Sequence, residues 1–124
     1  MDDYTKHIKK GRLTNFTLTN CSDSQNANKL LQEYEVDTDH INCDAIRYDA
    51  QKRKPLDDVS HMKTFPKIFI GTNILGSDID LKGQIHNGDF FKKLDSEGIH
   101  YNLPNGNKEF APDGKQHSFI PAKS

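Results

Sequence analysis

Apolar positions along this 124-residue chain change period several times, and each change marks an element. Asn15-Phe16-Thr17-Leu18-Thr19 alternates polar with apolar and carries β-branched threonines, which predicts a strand with Phe16 and Leu18 on one face. Ala27, Leu30, Leu31 and Tyr34 then fall at helical spacing and predict a helix over residues 24–35. Ser22 with Gln25 has the form of a capping box, so Cys21 sits where a strand hands over to a helix. Alternation returns over residues 35–41, a second strand with Cys43 at its carboxyl end; strand, helix, strand implies a parallel crossover. Pro55 fits the first turn of a second helix, residues 55–61. Lys67-Ile68-Phe69-Ile70, Gly71-Thr72-Asn73 and Ile74-Leu75 read as strand, turn, strand. Ser77 with Asp80 opens a third helix through Leu81 and Ile85, and Asn87-Gly88 interrupts it before residues 89–94. The order is β-α-β-α-β-β-α, an α/β chain.

Only 33% of the residues are hydrophobic and the mean hydropathy is −0.84, so the apolar side chains must be concentrated to make a core. Most of the Leu, Ile and Val lie within residues 13–94, which places the end of the core near Leu94. The chain divides into an N-terminal segment, 1–12, a folded domain, 13–97, and an extended C-terminal tail, 98–124. That tail carries Pro104, Gly106, Pro112, Gly114 and Pro121, with Tyr101, Leu103, Phe110, Phe119 and Ile120 available to pin it to the domain. Lys and Arg number 17 against 18 Asp and Glu, a net charge of −1, which removes the basic footprint of a nucleic-acid binder. No stretch approaches the roughly 18–20 apolar residues of a membrane span, and residues 1–12 lack a signal-peptide core. The expectation is a soluble, cytoplasmic protein. Cys21 and Cys43 are too few for a disulfide scaffold and point to redox chemistry instead.

A cysteine on a strand-to-helix turn meets unpaired backbone N–H groups and the positive end of the helix dipole, both of which favour the thiolate. Thr64-Phe65-Pro66 stands directly before an apolar strand; a cis bond at Pro66 would present the backbone of Phe65 to an extended thiol peptide. Taken together, these elements resemble the glutaredoxin family over about residues 13–94. Cys21-Ser22-Asp23-Ser24 stands where that family has Cys-Pro-Tyr-Cys or Cys-Gly-Phe-Ser, and Thr64-Phe65-Pro66 is similar to its Thr-Val-Pro. Ile68-Phe69-Ile70-Gly71 is similar to its next strand, and Gly76-Ser77-Asp78 to its Gly-Gly-Cys/Ser-Asp-Asp turn. Residues 85–94, from Ile85-His86 through Gly88 to Leu94, resemble its terminal Leu-His-x-x-Gly-x-Leu-x-x-Leu helix.

The resemblance implies a thioredoxin-like fold, a four-stranded mixed sheet flanked by helices, and a glutathione-dependent thiol–disulfide oxidoreductase. It makes Cys21 the nucleophile that takes glutathione from a mixed disulfide. Ser24, in the resolving position, leaves the site monothiol. The backbone of Phe65, beside a cis Pro66, would pair with the cysteinyl part of glutathione. Ser77 and Asp78 would hold its γ-glutamyl group, Lys63 its glycyl carboxylate, and Arg53 or Lys54 a further polar contact. The partners so implied are glutathione and glutathionylated or disulfide-containing proteins.

Two departures bear on the chemistry. Leu18 stands where many glutaredoxins have a lysine, and Asp23 adds a negative charge in the first turn; both withdraw support from a Cys21 thiolate. Ser22 replaces the motif's proline, and members lacking that proline include ones that bridge two copies with a [2Fe–2S] cluster ligated by the active-site cysteine and glutathione. A cluster carrier is therefore one alternative, with Cys21 the protein's ligand; a catalytically weak glutathione-binding module is another. Without a cluster the chain is expected to be a monomer. Cys43 lies at the same sheet edge as Cys21 and is the remaining candidate for a resolving thiol. The six histidines, His7, His40, His61, His86, His100 and His117, show no metal-binding spacing.

Overall fold

β1 (Leu13–Thr17) is the spine of the structure, a computed structural model that describes residues 3–103. All five of its residues are buried, because both faces of the sheet are covered. β1 runs parallel to β2 (Thr38–Asn42), with Phe16 opposite Ile41, and antiparallel to β3 (Lys67–Ile70), with Phe16 opposite Lys67. β4 (Asn73–Gly76) pairs antiparallel with β3, giving the order β2-β1-β3-β4. This is the mixed four-stranded, helix-flanked sheet of the thioredoxin-like fold.

Alternation along β1 decides which helices cover which face. Leu13 joins Ile68 and Ile70 against α1 (Ser22–Glu33), α3 (Asp78–Asn87) and α4 (Asp89–Glu97), whose Leu31, Leu81, Phe90, Phe91 and Leu94 complete the larger core. Phe16 and Leu18 face the other way, with Phe69, and meet Leu56 of α2 (Ala50–Ser60). Each fully buried Leu or Phe in these layers contributes about 2 kcal/mol by leaving water. Among the described residues no helix is long and apolar enough to cross a membrane.

Several boundaries differ from the sequence pattern, each for a local reason. The first strand covers Leu13–Thr17 and not residues 15–19, since Leu18 and Thr19 already turn toward α1. α1 begins at Ser22, with Cys21 as its extended N-cap and no side-chain cap, so Ser22 and Gln25 form no capping box. The cap is made by the main chain, where the Gln25 amide donates to the Cys21 carbonyl at 3.0 Å. The helix stops at Glu33 because Glu35 takes a left-handed conformation (φ 49°), and β2 starts only at Thr38. α2 begins five residues before Pro55: Asp49 caps it, accepting from the Lys52 amide at 3.0 Å. Pro55 therefore lies inside the helix, where ion pairs Arg53–Asp57 and Lys54–Asp58, each 3.0 Å, brace the turn whose hydrogen bond it cannot make.

The core also runs past Leu94. Ile99 and Tyr101 are buried with Phe91 and Tyr34, the Asn102 amide donates to the Tyr34 carbonyl at 2.7 Å, and Leu103 packs alongside. Phe110, Phe119 and Ile120, the other expected anchors, lie outside the described residues. At the other end Tyr4 and Ile8 pack on the α2 side of the sheet.

Candidate active site

Cys21 occupies the N-cap of α1, half-buried, with Sγ 3.9 Å from the main-chain oxygen of Phe65. Two connections bring these groups together: the turn after β1 delivers Cys21, and the turn before β3 delivers Phe65 through a cis Phe65–Pro66 bond. Ser22 and Asp23 are exposed on the first turn of α1. Ser24 is fully buried, and its Oγ accepts from the Leu18 amide at 3.2 Å. It thus ties the end of the strand segment to the helix that follows, a role the motif alone does not disclose.

The start of α3 lies across the same face of α1. Gly76 (φ 126°) turns the chain into Ser77, whose amide and hydroxyl both donate to the Asp80 carboxylate, at 2.9 and 3.3 Å. The Ser77–Asp80 relation expected from the sequence is present. Asp78 is almost fully buried, and Asn26 of α1 donates to its Oδ2 at 3.4 Å. Asp23, Asn26, Lys29, Asp78, Ile79 and Lys82 line a cleft of about 620 Å³ between α1 and α3. The first turn of α1 is therefore flanked by Phe65 on one side and by Asp78 on the other.

Lys63 is exposed on the connection leading to Phe65. Arg53 and Lys54 are occupied within their own helix: the Arg53 guanidinium donates to Asp57 at 3.0 Å and to the Arg47 carbonyl at 2.7 Å, and Lys54 pairs with Asp58. Neither points to a ligand. Cys43 is a free thiol like Cys21 and is fully buried among the apolar residues under α2. Burial pushes its thiol up to about 12, with the Lys67 ammonium working against that rise. Among the described residues no three His, Cys, Asp or Glu side chains gather as a metal ion would need; His117 lies outside them.

Two polar groups beside the site carry weak sequence signals. Asp44, just past β2, accepts from both the amide and the hydroxyl of Thr19. Lys67, directly after Pro66, is completely buried; its only sequence signal is a charge opening the run Ile68-Phe69-Ile70. Burial pulls its pKa below the ordinary lysine value, and Asp57, 3.0 Å away, pushes back.

Sequence comparison with curated proteins gives no match. Solved structures do match at the level of the fold. The holo form of glutaredoxin C1 from Populus tremula x tremuloides superposes with a TM-score of 0.68 at 15% identity, over 80% of this chain and 89% of that one. A buckwheat glutaredoxin–glutathione complex gives 0.60 at 19% identity, over 69% and 78%. A monomeric truncated mutant of Trypanosoma brucei 1-C-Grx1 gives 0.65 at 20% identity, over 80% and 92%. The glutaredoxin family model matches residues 13–75, more than half of the sequence and the whole path from β1 through Cys21 and Pro66 to β4, and the chain belongs to the glutaredoxin family.

Proposed function

We propose that this chain is a glutathione-dependent thiol–disulfide oxidoreductase with a single working thiol, Cys21. The observation that carries the reading is the 3.9 Å approach of Cys21 Sγ to the Phe65 carbonyl at the amino end of α1. A nucleophile and a main-chain hydrogen-bonding edge then lie within reach of one extended thiol peptide. Family membership supports thiol redox chemistry in general, and the buckwheat relative was solved with glutathione.

In the proposed reaction the Cys21 thiolate attacks the glutathione sulfur of a mixed disulfide, R–S–SG. A bond forms between Cys21 and glutathione, the bond to R–S breaks, and the departing thiolate takes a proton from water. The thiolate of a second glutathione then attacks the glutathione sulfur held on Cys21, releasing glutathione disulfide and restoring the Cys21 thiolate. Overall, R–S–SG and one glutathione give R–SH and glutathione disulfide. Ser24 supplies no second thiol, and its hydroxyl is engaged with Leu18, so no intramolecular disulfide competes at that position.

Glutathione would lie across the first turn of α1. The backbone of Phe65, shaped by Pro66, pairs with its cysteinyl unit, and Lys63 meets its glycyl carboxylate. Asp78 meets the γ-glutamyl ammonium, and the amides that open α3 after Ser77 face the adjacent carboxylate. The side chains of Ser22 and Asp23 stay in solvent on the first turn of α1. The test is steady-state reduction of a glutathione mixed disulfide coupled to glutathione reductase. Wild type turns over and Cys21→Ser does not; an undiminished Cys21→Ser variant sinks the assignment.

A further inference from the structure

Lys67 is the first residue of β3 and has no exposed side-chain surface. Enclosing an ammonium is unfavourable unless it is paired and hydrogen-bonded, and here two hydrogen-bond acceptors and one carboxylate surround it. Asp57 Oδ1 lies 3.0 Å away, Ser60 Oγ accepts at 3.1 Å, and the Met62 carbonyl accepts as well. The Phe65 ring closes the remaining side, its centroid 5.0 Å from Nζ. These partners are spread along one stretch of chain: Asp57 and Ser60 in the last turns of α2, Met62 just beyond it, and Phe65 immediately before Pro66. Ser60 reinforces the arrangement by accepting the Met62 amide at 3.2 Å.

The ammonium therefore gathers the whole connection between α2 and β3 around one point. Between its anchors lie Lys63 and Thr64, and the ring it supports belongs to the residue whose carbonyl faces Cys21 at 3.9 Å. Stability alone does not call for a charge here, since apolar side chains of similar size commonly replace buried ion pairs without loss. Phe16, Leu56 and Phe69 already make this layer apolar. What the charge adds is geometry, because a methionine would fill the same space without fixing the Met62 carbonyl or the Ser60 hydroxyl.

We infer that Lys67 is a positioning residue that holds residues 63–66 at the level of Cys21, and so sets the affinity for the glutathione unit of the substrate. The inference rests on the reading of Phe65 as the glutathione contact. Lys67→Met is the informative variant, because Asp57 keeps its bond to Arg53 at 3.0 Å and is not left as an unpaired buried charge.

The experiment measures kcat and KM for a glutathionylated peptide, with the alkylation rate of Cys21 and the thermal midpoint recorded on the same proteins. In Lys67→Met, KM rises about tenfold while kcat and Cys21 alkylation stay within about twofold of wild type. A folded Lys67→Met with unchanged KM overturns the role. Should that variant fail to fold, Ser60→Ala, which removes one anchor and keeps the Asp57 pair, must itself raise KM; an unchanged KM there overturns the inference too. Wild type that neither turns over the peptide nor binds glutathione in calorimetry overturns the glutathione reading, and Lys67's role with it. Wild-type turnover with an indifferent Lys67→Met removes only the latter.

Discussion

Asp44 takes both donors of Thr19, the amide at 2.9 Å and the hydroxyl at 2.5 Å, and so ties the turn that delivers Cys21 to the end of β2. Asn42 completes the clamp from the same strand end, donating to Thr19 Oγ1 at 2.9 Å and accepting the Asp44 amide at 2.9 Å. The hydrogen bonds from Thr19 hold the Asp44 carboxyl below the usual carboxylate range. A depressed folded-state value means that the clamp is in force above the unfolded value of about 3.9 and is released as pH falls through the lower, folded one. In Asp44→Ala, the protection of the Thr19 amide against hydrogen exchange falls by about tenfold at neutral pH, and the wild-type protection factor drops to the variant's level only in strong acid. Equal exchange rates for the two proteins at neutral pH exclude the clamp.

The turn into α3 depends on the missing side chain at Gly76. Its φ of 126° is unfavourable for any L-residue, and a Cβ there overlaps the Asp80 carboxylate where it reaches back to Ser77. Gly76→Ala must therefore strain the backbone and push Asp80 off the Ser77 amide at once. The expected loss is about 1–3 kcal/mol in urea unfolding, with weaker glutathione binding because the first amides of α3 shift. Asp80→Ala in the Gly76→Ala background relieves the overlap without relieving the φ strain, so it recovers only part of the stability.

Arg12 joins the two aspartates that bracket the start of β2. Its Nε and Nη2 donate to Asp39 at 3.0 and 2.6 Å, and its Nη1 donates to Asp37 at 2.7 Å. The paired hydrogen bonds from Arg12 draw the Asp39 carboxyl below its ordinary value, against the opposing pull of burial. These side chains are about a third to a half exposed, so solvent screens the pair and the gain is only about 0.5–1 kcal/mol. Because the folded-state value is depressed, that gain is complete above the unfolded value of about 3.9 and is lost as pH falls through the lower, folded one. Arg12→Ala should melt about 4 °C below wild type at pH 7 and show a much smaller difference in strong acid; a difference that does not shrink there is incompatible with an ion-pair origin.

The alternation of Phe16 with Leu18, the run Ile68-Phe69-Ile70 and the Ser77–Asp80 spacing are legible in the chain because each reports a local rule that the packed structure also obeys. Ser22 and Pro55 mislead for the same reason: a helix-start motif states what a side chain can do, not what the main chain needs. At Ser22 the Cys21 carbonyl already receives the Gln25 amide, and at Pro55 the start lies upstream, where Asp49 meets Lys52. Cys21, Phe65 and Pro66 stand out because a nucleophile at a helix start and a proline at a strand start are chemically odd. Lys67 and Asp44 do not, since a charge at either end of a strand ordinarily meets water. Only the fold brings Asp57 to the one and Thr19 to the other.

Cys43 separates the one-thiol reading from a two-thiol one. Its side chain has no exposed surface, sits among Phe16, Ile46, Leu56 and Phe69, and leaves Sγ near the Ile41 carbonyl at 3.8 Å. Burial lifts the thiol to about 12, so at pH 7–8 almost none is thiolate, and an attacking thiol must be thiolate. Brief treatment of the native protein with iodoacetamide should therefore modify Cys21 and spare Cys43, and mild denaturation should expose both to mass shift. Cys43→Ser should keep turnover within about twofold of wild type, while losing about 1–3 kcal/mol of stability because a hydroxyl replaces sulfur in an apolar layer. A Cys43→Ser protein that folds normally but stalls with glutathione on Cys21 means the opposite: Cys43 then reaches the mixed disulfide through an opening of α2, and the enzyme resolves its own intermediate.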